Sequence, residues 1–294
     1  MFKDEETMNF KHDLAEISKK ELHKEGIWIP KEWDDYQICM KHLEIHHRWF
    51  DSSVPYISVF SKELRKKLPL LSEEEQEAIR DIVNRLKSCQ PITPYMSRDI
   101  RAISVKKSDF LLKNWNIYHL HLEKAPERYQ NPNLLFFQPK GQVVHFIDVR
   151  PHPKGTAWFE RELFDIIYDN WPHLLIYRPD VRPVLPVPDE GVHELLKEAV
   201  SLIPFREGSL FPTNLGVAAW GDSNLAVRTA DRVFNLLTEW QSELTSRESE
   251  IKKLIRKEGI KPPPRLDYEL IIENGFFVAY ELQTHAKIRM FLVP

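Results

Sequence analysis

Two stretches that alternate apolar and polar side chains constrain this chain most. They are Trp115-Asn116-Ile117-Tyr118-His119-Leu120-His121-Leu122 and Val143-Val144-His145-Phe146-Ile147-Asp148-Val149-Arg150-Pro151-His152. Successive side chains on a strand point to opposite faces, so a period of two predicts strands. A short apolar run, Leu134-Leu135-Phe136-Phe137, lies between them and is followed by the turn Pro139-Lys140-Gly141-Gln142. Three such strands predict one small antiparallel sheet.

The flanks differ in texture. Residues 1–95 read as a helical region. Phe10, Leu14, Ile17 and Leu22 recur at helical spacing, and so do Trp33, Tyr36, Met40, Leu43, His47 and Phe50. Pro30 forces Ile29 out of helical geometry between them. Ser72-Glu73-Glu74-Glu75 is a capping box, opening a helix through Ile79, Ile82, Val83 and Leu86 that stops before Pro91.

The middle region, 96–178, adds flanking helices to the strands. One begins near Ser108, expected as its cap, and one spans 156–168 with Trp158 and Leu163. Trp158 and Trp171 are expected in the core. Residues 179–190 carry four prolines and predict a stiff extended connector. The C-terminal region, 191–294, opens with a helix over 192–203 and an irregular stretch over 204–230. A long helix from Asp231 to Lys257 follows, stopped by Pro262-Pro263-Pro264. Asn274-Gly275 then joins Leu266–Ile272 to Phe276–Val293 as a β-hairpin. The fold class expected is α+β: helices first, a small antiparallel sheet in the middle, a long helix and a hairpin last.

Composition narrows the function classes. Only 9 of 294 residues are glycine, and neither G-x-G-x-x-G nor G-x-x-x-x-G-K-[ST] occurs, which argues against P-loop and Rossmann enzymes. The net charge of −3 removes a global case for nucleic-acid binding and leaves room for local basic patches. The clusters Lys62–Lys67 and Lys252–Lys257 read as solvated helix faces that can also meet a phosphate backbone. Cys39 and Cys89 lack metal-like spacing and fit a reducing compartment. The acidic start of the chain and the short apolar runs predict a cytoplasmic protein without a membrane segment.

Parity assigns the chemistry. His119 and His121 share one face of their strand. Without a bulge, Asp148, Arg150 and His152 share one face of theirs, and His145 falls with Val143, Ile147 and Val149 on the apolar side. The five residues His119, His121, Asp148, Arg150 and His152 then gather on a solvent-facing surface.

Three readings compete. In metal-free acid–base catalysis on a phosphodiester, His119 and His121 serve as acid and base, with His152 as an alternate. Arg150 holds phosphate, and Asp148 orients a histidine. RNA is the expected substrate and no cofactor is needed. The second reading is a His-x-His metal site completed by Asp148 or His152. The third is a polar sheet face with no chemistry. His42 and His46 have an i,i+4 spacing but no H-E-x-x-H string, and read as surface residues.

The pattern Trp-x-Ile-x-His-Leu-His-Leu, a hydrophobic strand pair, and a helix ending in Asn170-Trp171-Pro172 resembles a bacterial module over about residues 97–175. In layout it is similar to RelE-like toxins and the broader barnase–EndoU–colicin–RelE group of ribonucleases. The resemblance implies a metal-independent endoribonuclease of a toxin–antitoxin or antiphage system, partnered by an antitoxin or defence-complex protein. The long N- and C-terminal regions lie outside it. A non-enzymatic sensor or adaptor subunit of such a complex is the alternative from a different class.

Overall fold

The alternating stretches form strands, and a fourth strand joins them from a region read as helical. The computed structural model describes residues 8–97, 109–123, 131–152, 161–181, 192, 202–213 and 222–293. Several sequence expectations fall outside these: 99–103, Ser108, Trp158, the first turn of the 156–168 helix, the connector beyond Val181, and residues 193–201. The chain divides into two compact units, residues 45–225 and residues 1–44 with 226–294.

The 45–225 unit is built on a sheet of order β1-β4-β3-β2. Its strands are β1 (Ile57–Phe60), β2 (Tyr118–His121), β3 (Asn133–Lys140) and β4 (Val143–Pro151). β2–β3 and β3–β4 are antiparallel as expected, and β1 runs parallel to β4. Pro55 bars a helix just ahead of β1, and Ile57-Ser58-Val59-Phe60 suits an edge strand too short to show a period.

Helices cover both faces. α4 (Glu73–Lys87) carries the full capping box at Ser72 and Glu75. Its Ile79, Ile82 and Leu86 pack with Leu120, Leu135, Phe137, Val144, Phe146 and Val149 on one face. On the other face, α6 (Arg161–Asn170) sets Leu163, Phe164 and Ile167 against Leu134, Phe136, Ile147 and Trp115. The polar-face expectation therefore needs correction: that side of the sheet is a second core rather than a solvent-facing surface.

Two further elements were not expected. β5 (Ile176–Arg178), β6 (Ile203–Phe205) and β7 (Gly208–Phe211) form a small antiparallel sheet of order β5-β7-β6, where the sequence leaves the end of the middle region unassigned and predicts a helix end and irregular chain. Only glycine fits at 208, because a Cβ there would stand 2.4 Å from the Arg178 carbonyl oxygen. Arg206, at the turn, spans Asp165 and Asp169 at 2.9 and 2.8 Å with its guanidinium over the Tyr168 ring, which rivets the hairpin to α6.

The other unit joins the two ends of the chain. It holds α1 (Phe10–Lys24) and most of α2 (Asp35–Arg48) with α7 (Asn224–Ser246), α8 (Glu248–Lys257) and the sheet β8 (Tyr268–Glu273), β9 (Phe276–Glu281) and β10 (Lys287–Leu292). The long C-terminal helix is broken at Arg247. The expected hairpin is present as β8–β9, with Asn274 at φ 53° and Gly275 at φ 76°, the double positive φ of a type I′ turn. The expected second arm divides into β9 and β10. Phe10, Leu14 and Ala15 share a core with Val233, Leu237, Leu270 and Phe277. Asp13 accepts from the Leu270 backbone N–H at 2.9 Å and so covers part of the β8 edge. Among the described residues no helix is long and apolar enough to cross a membrane.

Candidate active site

α3 (Lys62–Lys67) and α5 (Phe110–Trp115) build this site from below. α5 ends at Asn116, held left-handed at φ 57°, which turns the chain directly into β2. The corner returns Asp109, at the start of α5, to the face of β2. One carboxylate oxygen of Asp109 caps α5 by accepting from Leu112 N–H at 3.0 Å. The other stands 3.1 Å from His119 Nδ1. Asp109 is therefore the helix cap expected of Ser108, and its carboxylate lies beside a histidine where that of Asp148 was expected.

The strand register sets the rest. His119 pairs with Phe136, and Phe136 with Asp148; His121 pairs with Leu134, and Leu134 with Arg150. His119 and His121 ring centroids are 6.2 Å apart, and His121 stacks on His152 at 6.3 Å. The middle ring is the deepest: His121 is 2% exposed, the His119 side chain is 11% exposed, and His152 is open to solvent.

Asp148 plays a different part from the one expected. Only 1% exposed, it is bracketed by Lys67 Nζ at 2.7 Å and Arg150 Nε at 2.9 Å, and accepts from Val149 N–H at 2.9 Å. It touches no histidine among the described residues. A carboxylate this deep needs its charge compensated, and two cations and an amide do so. Arg150 reaches outward to Glu162 at 2.5 Å.

A β-bulge between β3 and β4 accounts for His145. Phe136 faces Asp148 while Phe137 faces Phe146, so Ile147 is the extra residue. Ser61 holds the bulge, donating its hydroxyl to the Ile147 carbonyl at 2.6 Å and capping α3 through Leu64 N–H at 2.9 Å. The bulge inverts parity upstream of it. His145 consequently lies on the same face as His119 and His121, beside Gln138, not on the Val149 side. It sits at the far end, 5.0 Å from the Trp171 ring and 6.1 Å from His173. Burial pushes its pKa down, assisted by His173 and Lys140 and opposed by its contact with the Gln138 carbonyl at 3.2 Å. Trp171 packs against the α6 core, as expected of a core residue.

The structure thus brings His119, His121 and His152 into one series, and sets Arg150 and Asp148 in an ion network beside it. Lys67, read with Lys62–Lys67 as part of a solvated helix face, is instead tied to buried Asp148, and Ser61 gave no sequence signal, each being about eighty residues from the strand it supports. Asp109 had one: it stands three residues before Leu112, the spacing of an N-cap. Among the described residues no three His, Cys, Asp or Glu side chains converge as a metal ion would require. His42, the other histidine with metal-like spacing, contacts Ser18 Oγ at 3.1 Å. No protein-family model, curated protein or solved structure matches the chain.

Proposed function

We propose that the 45–225 unit cleaves RNA by proton transfer through histidine, without a metal. One observation carries this reading: His119, with the Asp109 carboxylate 3.1 Å from its Nδ1, begins a series of three rings that ends at solvent in His152. His152 is the ring a substrate meets first. It takes the proton of a ribose 2′-hydroxyl as that oxygen attacks the adjacent phosphorus. A second imidazole of the series gives a proton to the departing 5′ oxygen, leaving a 2′,3′-cyclic phosphate and a 5′-hydroxyl. Arg150 is the phosphate ligand. Its outer partner Glu162 has a side chain 74% exposed, so that pair is weak and a phosphate oxygen can replace it. The proposal extends to a cytoplasmic, bacterial toxin–antitoxin or antiphage setting with an antitoxin or defence-complex protein as partner, following the likeness of the middle third to ribonuclease toxins.

A sensor or adaptor role has one observation in its favour: Asp148, Lys67 and Arg150 are bound to one another in the manner of a structural brace. Purified protein incubated with RNA in EDTA separates the readings. Cyclic-phosphate ends are expected from wild type, with loss of at least tenfold in His152→Ala, at the solvent end of the series, and in Asp109→Asn, which keeps a capping oxygen. Full-rate cleavage by both variants would end the proposal. Absence of any cleavage favours the adaptor, and cleavage only after addition of a divalent cation favours metal chemistry.

A further inference from the structure

The most basic stretch of this acidic chain lies in the unit formed by the chain ends. Residues 247–265 hold seven Lys and Arg against three Glu, although the whole chain carries a net charge of −3. α8 ends in a Schellman-type turn, with Gly259 at φ 78° and the Ile260 N–H returned to the Ile255 carbonyl. The chain then runs through Lys261 into Pro262-Pro263-Pro264. Between this strip, the end of α8 and the turn after β9 lies an open cleft of about 560 Å³. Lys252, Arg256, Lys261, Gln283 and Thr284 supply its polar groups, and Ile260 and the three prolines supply an apolar wall.

The cations divide by what they are bound to. Lys252 is a structural post, 2.7 Å from Glu248 and bonded to the Pro264 carbonyl, so it ties the proline strip to α8. Arg256 and Lys261 are exposed and make no ion pair or side-chain hydrogen bond among the described residues. Among the described residues no acidic side chain lines the cleft. Glu281, bonded to the lining residues Gln283 and Thr284, is buried, and its carboxylate accepts from Asp267, Gln283 and Thr284 N–H groups and from the Thr284 hydroxyl. Two unpaired cations above an apolar wall, in a cleft open to solvent, suit a flexible polyanion with flat apolar groups along it. Prolines bring no N–H donors, so the site lacks the backbone cradle that grips a single small phosphate. An acidic peptide matches the charge but not the flat wall.

We propose that this cleft binds single-stranded RNA, with Arg256 and Lys261 on consecutive phosphates and a base against Ile260 and the prolines. The choice of RNA among polyanions rests on the cleavage reading, but the binding does not require it. The test measures full-length protein by fluorescence anisotropy on a 2′-O-methyl oligonucleotide, which cannot be cleaved through its 2′-oxygen. An Arg256→Ala/Lys261→Ala variant is expected to bind about tenfold more weakly at low salt, and its log–log salt slope is expected to shrink by about 1.4, two contacts at ~0.7 each. Both side chains are exposed, so thermal unfolding should not change. Equal affinity and slope in variant and wild type overturn the proposal, whether or not the protein cleaves RNA. Displacement of the oligonucleotide by polyglutamate at equal charge concentration overturns it in favour of an acidic peptide. Wild-type binding without any cleavage leaves the cleft assigned and removes the catalytic reading alone.

Discussion

His145 gives the 45–225 unit a pH dependence with a defined sign. Burial holds its pKa below the usual 6.5, so below that pH the unfolded chain takes up a proton that the folded chain resists. The stability is present above pH 6.5 and is lost as pH falls from there through the folded-state value. The urea midpoint is expected to fall between pH 7.5 and 5.5, with a slope bounded by about 1.4 kcal/mol per pH unit for one proton. His145→Gln should flatten that fall, and an identical fall in the variant would refute the assignment. At this scale the residue types at the site were legible and their partners were not. His119 and His121 were found by parity on one strand. The partner of His119 came from the far end of a six-residue helix, and those of Asp148 included a lysine 81 residues away. A dense polar face and a dense polar interior look alike in a strand sequence; only the coverage by α6 separates them.

Elements were legible wherever a local rule dictates geometry. Ser72 and Glu75 announced α4, Asn274-Gly275 announced the β8–β9 turn, and Pro30 separated α1 from α2. The bulge at Ile147 had no local signature, because it is held by Ser61 from another part of the chain, and one extra residue was enough to move His145 to the opposite face. Glu75 shows how a local signal can carry a longer-range load. Burial works against its charge. Hydrogen bonds from Asn133 at 2.6 Å, from Ser72 N–H at 2.9 Å and from Asn131 at 3.3 Å outweigh that and hold its pKa below the usual value. Glu75 thus completes the capping box of α4 and anchors the loop entering β3. Ser72→Ala removes the cap alone and is expected to destabilise by about 1 kcal/mol. Glu75→Ala also strips an acceptor from two half-buried asparagines and is expected to reach about 2–3 kcal/mol in urea unfolding. Equal losses in the two variants would show that the β3 contacts carry no weight.

The molecule as a whole contains one arrangement that no local pattern reveals: the first helix and the last sheet share a core. The amphipathic stripe of α1 predicted that Phe10 and Leu14 are buried, and said nothing of what buries them. Their partners, Leu270 and Phe277, are more than 250 residues away in sequence. The consequence is a unit whose stability depends on both ends of the chain. Phe10 has no exposure, and truncating it opens a cavity among Val233, Leu237 and the β8–β9 side chains. Phe10→Ala is expected to destabilise this unit by about 3–5 kcal/mol. The informative readout is hydrogen exchange at Leu270 and Val278 N–H. Asp13 caps the Leu270 amide from α1 itself, so loosening the helix should expose that amide first, and loss of the shared core should then expose β9. Accelerated exchange confined to α1, with both strand amides unchanged, would mean that the sheet stands without the helix and that the chain ends fold separately.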